Sequence, residues 1–110
     1  MKWQEALQEA ETRADELILF AKNFEGGDVK SVPLLRFESE IDFELCLGDY
    51  ERYSYKDYQI MNKALQRVLR ARKIKGRQFH MSSKSFTRWL EIRNETASEA
   101  LALVFAMETK

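Results

Sequence analysis

The sequence predicts a helix-dominated α+β domain: a long N-terminal helix, one amphipathic strand or hairpin, and three further helices. Three patterns carry that prediction. Apolar residues recur at helical spacing over the first 24 positions, they alternate with acidic residues between positions 37 and 47, and an almost wholly apolar run spans positions 100 to 107. The chain has 110 residues, 45% of them apolar and 33% charged. That is enough for one domain, residues 1–110, and a domain near this size buries roughly two thirds of the surface its unfolded chain exposes.

Trp3, Leu7, Ala10, Ala14, Leu17, Ala21 and Phe24 are spaced alternately four and three apart, which puts them on one stripe of a helix ending before Gly26-Gly27. At about 1.5 Å per residue this helix is on the order of 33 Å long, as wide as a domain of this size. The stripe can pack across the chain's own core or continue into a second copy. In the second case Trp3, Leu7, Leu17 and Phe24 form the interface of a homodimer.

From Phe37 to Leu47 the odd positions Phe37, Ile41, Phe43, Leu45 and Leu47 are apolar, whereas Glu38, Glu40, Asp42 and Glu44 fill even ones. Period two predicts a half-buried strand. A helix is the rival, since Pro33 and Gly48 stand where a helix would place them and Phe37, Ile41 and Leu45 lie four apart. A strand needs a neighbour, and Ser31 to Leu35, Lys73 to Met81 or the same strand of a second copy can supply it.

Ser54, with Asp57 three residues on, opens the next helix. Its apolar stripe is Tyr58, Met61, Leu65 and Val68, and Lys63, Arg67 and Arg70 project from the opposite side. Continuing it would put Arg72 among the apolar residues, so it ends near Ala71. Residues 72 to 82 then form a basic loop or short hairpin turning at Gly76. A short helix from Ser83 to Arg93 buries Phe86, Trp89 and Leu90. Thr96-Ala97-Ser98-Glu99 has the capping-box pattern and starts a last helix through Met107, apolar nearly all round and so placed at the centre of the core.

The charge is segregated. Residues 63 to 93 hold ten of the eighteen basic side chains and a single carboxylate, Glu91, a formal +9 inside a chain of zero net charge. Such a segment can hold a polyanion or an acidic partner. Arg67 and Arg70 on the helix, Arg72, Lys73, Lys75 and Arg77 in the loop, and Lys84 and Arg88 on the following helix are the candidate phosphate contacts. The simpler reading is that the acidic residues 38 to 44 neutralise part of this charge within the fold. Arg67 and Arg70 would also stabilise their own helix C-terminus, by about 0.3–1 kcal/mol each.

Within the basic segment, Ser82-Ser83-Lys84-Ser85-Phe86-Thr87-Arg88-Trp89-Leu90 resembles the recognition helix of helix-turn-helix DNA-binding proteins. The resemblance covers nine residues. It implies that the hydroxyls and Lys84 face bases or phosphates while Phe86 and Trp89 or Leu90 face inward. The family joins its helices by a turn of about 3–4 residues, and here roughly 11 separate Ala71 from Ser83.

Other groupings are weaker. The row Glu38, Glu40, Asp42 and Glu44 could bind a hard cation, although its members would lie along one line with no loop to wrap the ion. Tyr50, Tyr53, Tyr55 and Tyr58 could stack unpaired bases or simply cover the core edge. Gly-rich phosphate loops, zinc-ligand pairs and a nucleophile elbow are absent from the sequence, and His80 and Cys46 are each the only residue of their kind. No enzyme activity, cofactor or metal is therefore expected. A lone cysteine, a charged N-terminus and a longest apolar run of eight residues, against about 20 for a membrane-spanning helix, point to the cytoplasm. The expectation is a non-enzymatic binding or regulatory protein. A homodimer would present residues 67 to 88 to nucleic acid, and the alternative is an adaptor that docks an acidic partner protein.

Overall fold

The structure, a computed structural model, describes residues 1–109. Its elements are α1 (Trp3–Glu25), β1 (Ser31–Arg36), α2 (Glu40–Leu47), α3 (Tyr55–Ala71), β2 (Lys75–His80), α4 (Ser83–Arg93) and α5 (Glu99–Glu108). The fold is a helix-dominated α+β arrangement with a long N-terminal helix, as the sequence predicts. The two strands pair in parallel, with the Lys75 N–H donating to the Lys30 carbonyl at 2.9 Å and the Met81 N–H to that of Arg36 at 2.8 Å. A parallel pair needs a crossover connection, here supplied by α2 and α3. Among the described residues no helix is long and apolar enough to cross a membrane.

The chain forms two compact units. Unit 1 comprises Met1–Leu34 and Lys56–Arg77, and unit 2 comprises Leu35–Tyr55 and Gln78–Lys110. Unit 1 buries Ala6, Ala10, Ala14, Leu17 and Ala21 of α1, Val32 and Leu34 of β1, and Tyr58, Met61, Leu65, Val68 and Leu69 of α3. The α1 stripe thus closes into its own unit over its middle, and Leu17, 2% exposed, belongs to that core instead of to a dimer interface. Leu7 is half-buried. Trp3 and Phe24, at the two ends of the stripe, remain 40% and 42% exposed.

Unit 2 is built on α2, α4 and α5, and buries Phe43, Cys46, Leu47, Phe86, Leu90, Leu103, Phe105 and Met107. The segment expected as a strand is α2. Ser39 caps it, accepting from the Asp42 N–H at 3.3 Å and donating to Asp42 Oδ2 at 2.8 Å, and Gly48 ends it with φ 62°. Ser39-Glu40-Ile41-Asp42 is a capping-box spacing, and that local stop-and-start chemistry outweighs the period-two pattern. The alternation misled because two of its five apolar members, Ile41 and Leu45, face outward at 69% and 60% exposed. The true strands are the two segments expected only as its neighbours.

The segment 72 to 82 is likewise no loop or hairpin. The chain turns at Lys73, and Gly76 sits inside β2, where a Cβ would lie 2.8 Å from Leu34 Cδ1 and 3.0 Å from Gln66 Oε1. Glycine is needed there for close approach, not for a turn. The last helix begins at Glu99 and not at Thr96, because Ser98 is the cap, accepting from the Leu101 N–H at 3.2 Å.

Candidate functional site

The C-terminal half of α3, the turn after it and the start of β2 carry seven of the twelve cations of unit 1. Lys63, Arg67 and Arg70 follow one another at helical spacing and are all exposed, opposite the buried Tyr58, Met61, Leu65 and Val68. The helix ends in a Schellman turn. The Ile74 N–H donates to the Leu69 carbonyl at 2.9 Å and the Lys73 N–H to that of Arg70 at 3.0 Å, satisfying carbonyls that the helix leaves open. Lys73 occupies the left-handed position of this turn, with φ 60°. Glycine usually fills it, because a side chain in that conformation costs about 1–2 kcal/mol.

Arg70, Lys73 and Lys75 then line a concavity of about 400 Å³ with Gln66, Ile74 and Gly76. Gln66 braces it by donating from Nε2 to the Gly76 carbonyl at 3.2 Å. Lys63, Arg67, Arg70, Lys73 and Lys75 take part in no ion pair among the described residues.

Arg72 behaves differently. Its Nη2 lies 2.6 Å from Glu11 Oε2 and its Nη1 2.6 Å from Asp15 Oδ1, and Nη2 also donates to the Glu11 carbonyl at 3.2 Å. The Glu11 and Asp15 carboxylates raise the guanidinium's pKa further above its already high value. Arg72 therefore ties the end of α3 to α1 and is not free for a phosphate. Arg77 is half-buried in β2. Of the four cations expected on one flexible loop, only Lys73 and Lys75 stand exposed, and a helix cap and a strand hold them.

Lys84 and Arg88 lie in unit 2. They line a groove of about 480 Å³ with Leu45 of α2 and with Ser83, Thr87 and Glu91 of α4. Ser83 donates to Asp42 Oδ1 at 2.8 Å, and this bond, ahead of the one from Ser39, holds the Asp42 carboxyl below the usual range. The helix-turn-helix geometry does not carry over, since the strand β2 stands between α3 and α4. The Ser83 hydroxyl is engaged inside the unit.

Trp89, expected inside, is half-buried. It lies 5.8 Å from Phe86 and 5.5 Å from Phe105 between ring centroids, with the Arg93 guanidinium 4.2 Å over its ring and Arg93 Nη2 3.1 Å from Glu108 Oε2. The tyrosines form no exposed stacking surface: Tyr53 and Tyr58 are 7% and 3% exposed, Tyr50 packs against Phe43 and Tyr53, and Tyr55 donates its hydroxyl to the Phe37 carbonyl at 3.1 Å. Cys46 is buried, and burial, with the Asp42 charge, pushes its thiol up to about 11. Among the described residues no group of three or more His, Cys, Asp or Glu side chains could hold a metal ion.

Sequence reasoning placed Lys63, Arg67 and Arg70 on one exposed helix face but counted only Arg67 and Arg70 among the candidate contacts. It missed the division of the basic segment between two units, for which the capping box at Ser39 and the strand-like Ser31–Arg36 were the available signals. Compared with protein-family models, with curated proteins and with solved structures, the chain matches none.

Proposed function

We propose that this chain is a non-enzymatic binding or regulatory protein that contacts nucleic-acid phosphates through Lys63, Arg67, Arg70, Lys73 and Lys75 of unit 1. One observation carries the reading: five exposed cations without ion pairs gather on one helix face and the rim of one concavity. Phosphate groups suit such a site, because they need positive charge and donors but not fixed register with base edges. The left-handed Lys73 supports it, since a strained backbone position there keeps a charge at the rim instead of a glycine.

An acidic protein partner competes for the same cations. Protein interfaces depend on apolar anchors, and the residues lining this concavity include one apolar side chain, the half-buried Ile74. Nucleic acid is therefore the better fit to unit 1. The reading places the protein in the cytoplasm, where a lone thiol such as Cys46 stays reduced.

Titration with a mixed-sequence duplex and a single-stranded oligonucleotide at several salt concentrations tests the reading. Five phosphate contacts give a slope of log affinity against log salt of about −4.5 on duplex, the same for unrelated sequences. No binding at low salt, or binding indifferent to salt, would overturn the assignment.

A further inference from the structure

Unit 2 leaves an apolar pair uncovered. Ile41 and Leu45, one helical turn apart on α2, are 69% and 60% exposed, and Leu45 forms the apolar wall of the groove whose other wall carries Lys84 and Arg88. On α2 itself the same pair is bordered by Glu40 and Glu44, both exposed. At 100° per residue, Glu40 and Glu44 fall on the flank of α2 away from Asp42, the residue that bonds Ser83 of α4. The exposed strip therefore runs from α4, where Lys84 and Arg88 outnumber the single carboxylate Glu91, across two aliphatic side chains, to carboxylates on α2.

Such a strip is complementary to itself. An occupant of this groove needs an aliphatic contact for Leu45 and carboxylates for Lys84 and Arg88, and the exposed face of α2 offers both. We propose that unit 2 self-associates through this strip, with Ile41 and Leu45 of two copies in contact and Glu40 and Glu44 of each facing Lys84 and Arg88 of the other. A closed two-fold pair requires one surface patch that serves as both partners, and alternating charge about an apolar centre meets that requirement. The expected dimer is thus built on α2 and α4, while Leu17 of α1 stays in the core of unit 1. The proposal is independent of phosphate binding.

Sedimentation equilibrium over about 1–200 μM protein on four samples decides it: wild type, Glu40→Lys/Glu44→Lys, Lys84→Glu/Arg88→Glu, and an equimolar mixture of the two variants. All four substituted positions are exposed, and thermal melts establish that each variant is folded. Wild type should dimerise, and each variant alone should associate at least about tenfold more weakly because like charges then face each other. In the mixture every facing pair is again opposite in sign, so association should return to near the wild-type level. Leu45→Ser, which leaves the charges intact, should weaken association as well.

A wild type that stays monomeric throughout overturns the proposal, as does a dimer indifferent to both charge variants or a mixture of folded variants that fails to recover. Binding of a synthetic acidic amphipathic peptide by a monomeric wild type would assign the groove to a different protein instead.

Discussion

Unit 1 carries twelve basic and eight acidic residues and unit 2 six and ten, so a chain without net charge is composed of one part at +4 and another at −4. The basic segment 63 to 93 is cut by this division, with seven of its ten cations in unit 1 and three in unit 2. The cations differ in company more than in kind. On α3 they stand on a polar helix face beside a concavity, whereas on α4 Lys84 and Arg88 stand beside exposed aliphatic side chains and Arg93 is held by Glu108 and Trp89. A charge count along the chain measures neither surface. What a cation can bind depends on its neighbours in space, and on that ground we propose phosphate for one unit and an acidic, partly apolar surface for the other.

The contrast breaks most visibly under charge reversal. Arg67→Glu/Arg70→Glu should lower nucleic-acid affinity by about 10²–10³-fold at moderate salt, with only a modest loss of stability, about 1–2 kcal/mol from reversing charge near the helix C-terminus, because both side chains are exposed and unpaired. Lys84→Glu/Arg88→Glu should change it by less than about threefold when measured at protein concentrations too low for self-association. Fluorescence anisotropy on both variants checks this. Equal losses would mean that the segment acts as one surface.

Two positive-φ turns, one in each unit, differ in what they require. At Gly48 in unit 2 a Cβ would collide with the Ala97 carbonyl, and φ is 62°. Gly48→Ala should therefore cost about 2–4 kcal/mol, read by urea denaturation. Unit 1 instead places Lys73 at φ 60°, where no close approach requires glycine. Lys73→Gly should stabilise by up to about 1 kcal/mol and flatten the salt slope by about 0.9. A destabilised Lys73→Gly would show that the turn is not strained.

Arg72 separates structure from binding within unit 1. Its pairs with Glu11 and Asp15 are solvent-accessible, so Arg72→Ala should cost only about 0.5–1 kcal/mol and leave the salt slope unaltered, in contrast to Lys75→Ala. A flatter slope in Arg72→Ala would return this residue to the binding face.

The smallest effect concerns Asp42. Its folded pKa lies below the ordinary value, so the ionised carboxylate favours the fold above the usual Asp range near about 3.9, and this contribution is lost as pH falls through the depressed folded pKa. Removing the larger of its two hydroxyl donors with Ser83→Ala should raise the Asp42 pKa toward the ordinary value, as followed by NMR titration of the carboxyl carbon. An unchanged titration would show that Ser39 alone sets it.

Much of the fold was legible because it rests on contacts close in sequence. The start and end of α1, the stop of α3 at Ala71 and the span of α4 follow from helical spacing, glycine and capping serine, interactions that reach at most about four residues. The exposed row Lys63, Arg67 and Arg70 follows from the same period. Three things required the folded chain. Ser31–Arg36 and Lys75–His80 become strands because they find each other across forty residues, and a six-residue segment has no local signal strong enough to announce a partner so distant. Residues 40 to 47 become a helix bounded by the local caps Ser39 and Gly48, and the folded unit adds what those caps do not show, that Phe43, Cys46 and Leu47 are the buried face while Ile41 and Leu45 stay outside. Arg72 leaves the basic site because Glu11 and Asp15, some sixty positions earlier, reach it first. A sequence lists charges; only packing determines which of them neutralise one another, because electrostatic energy depends on separation in space and not along the chain.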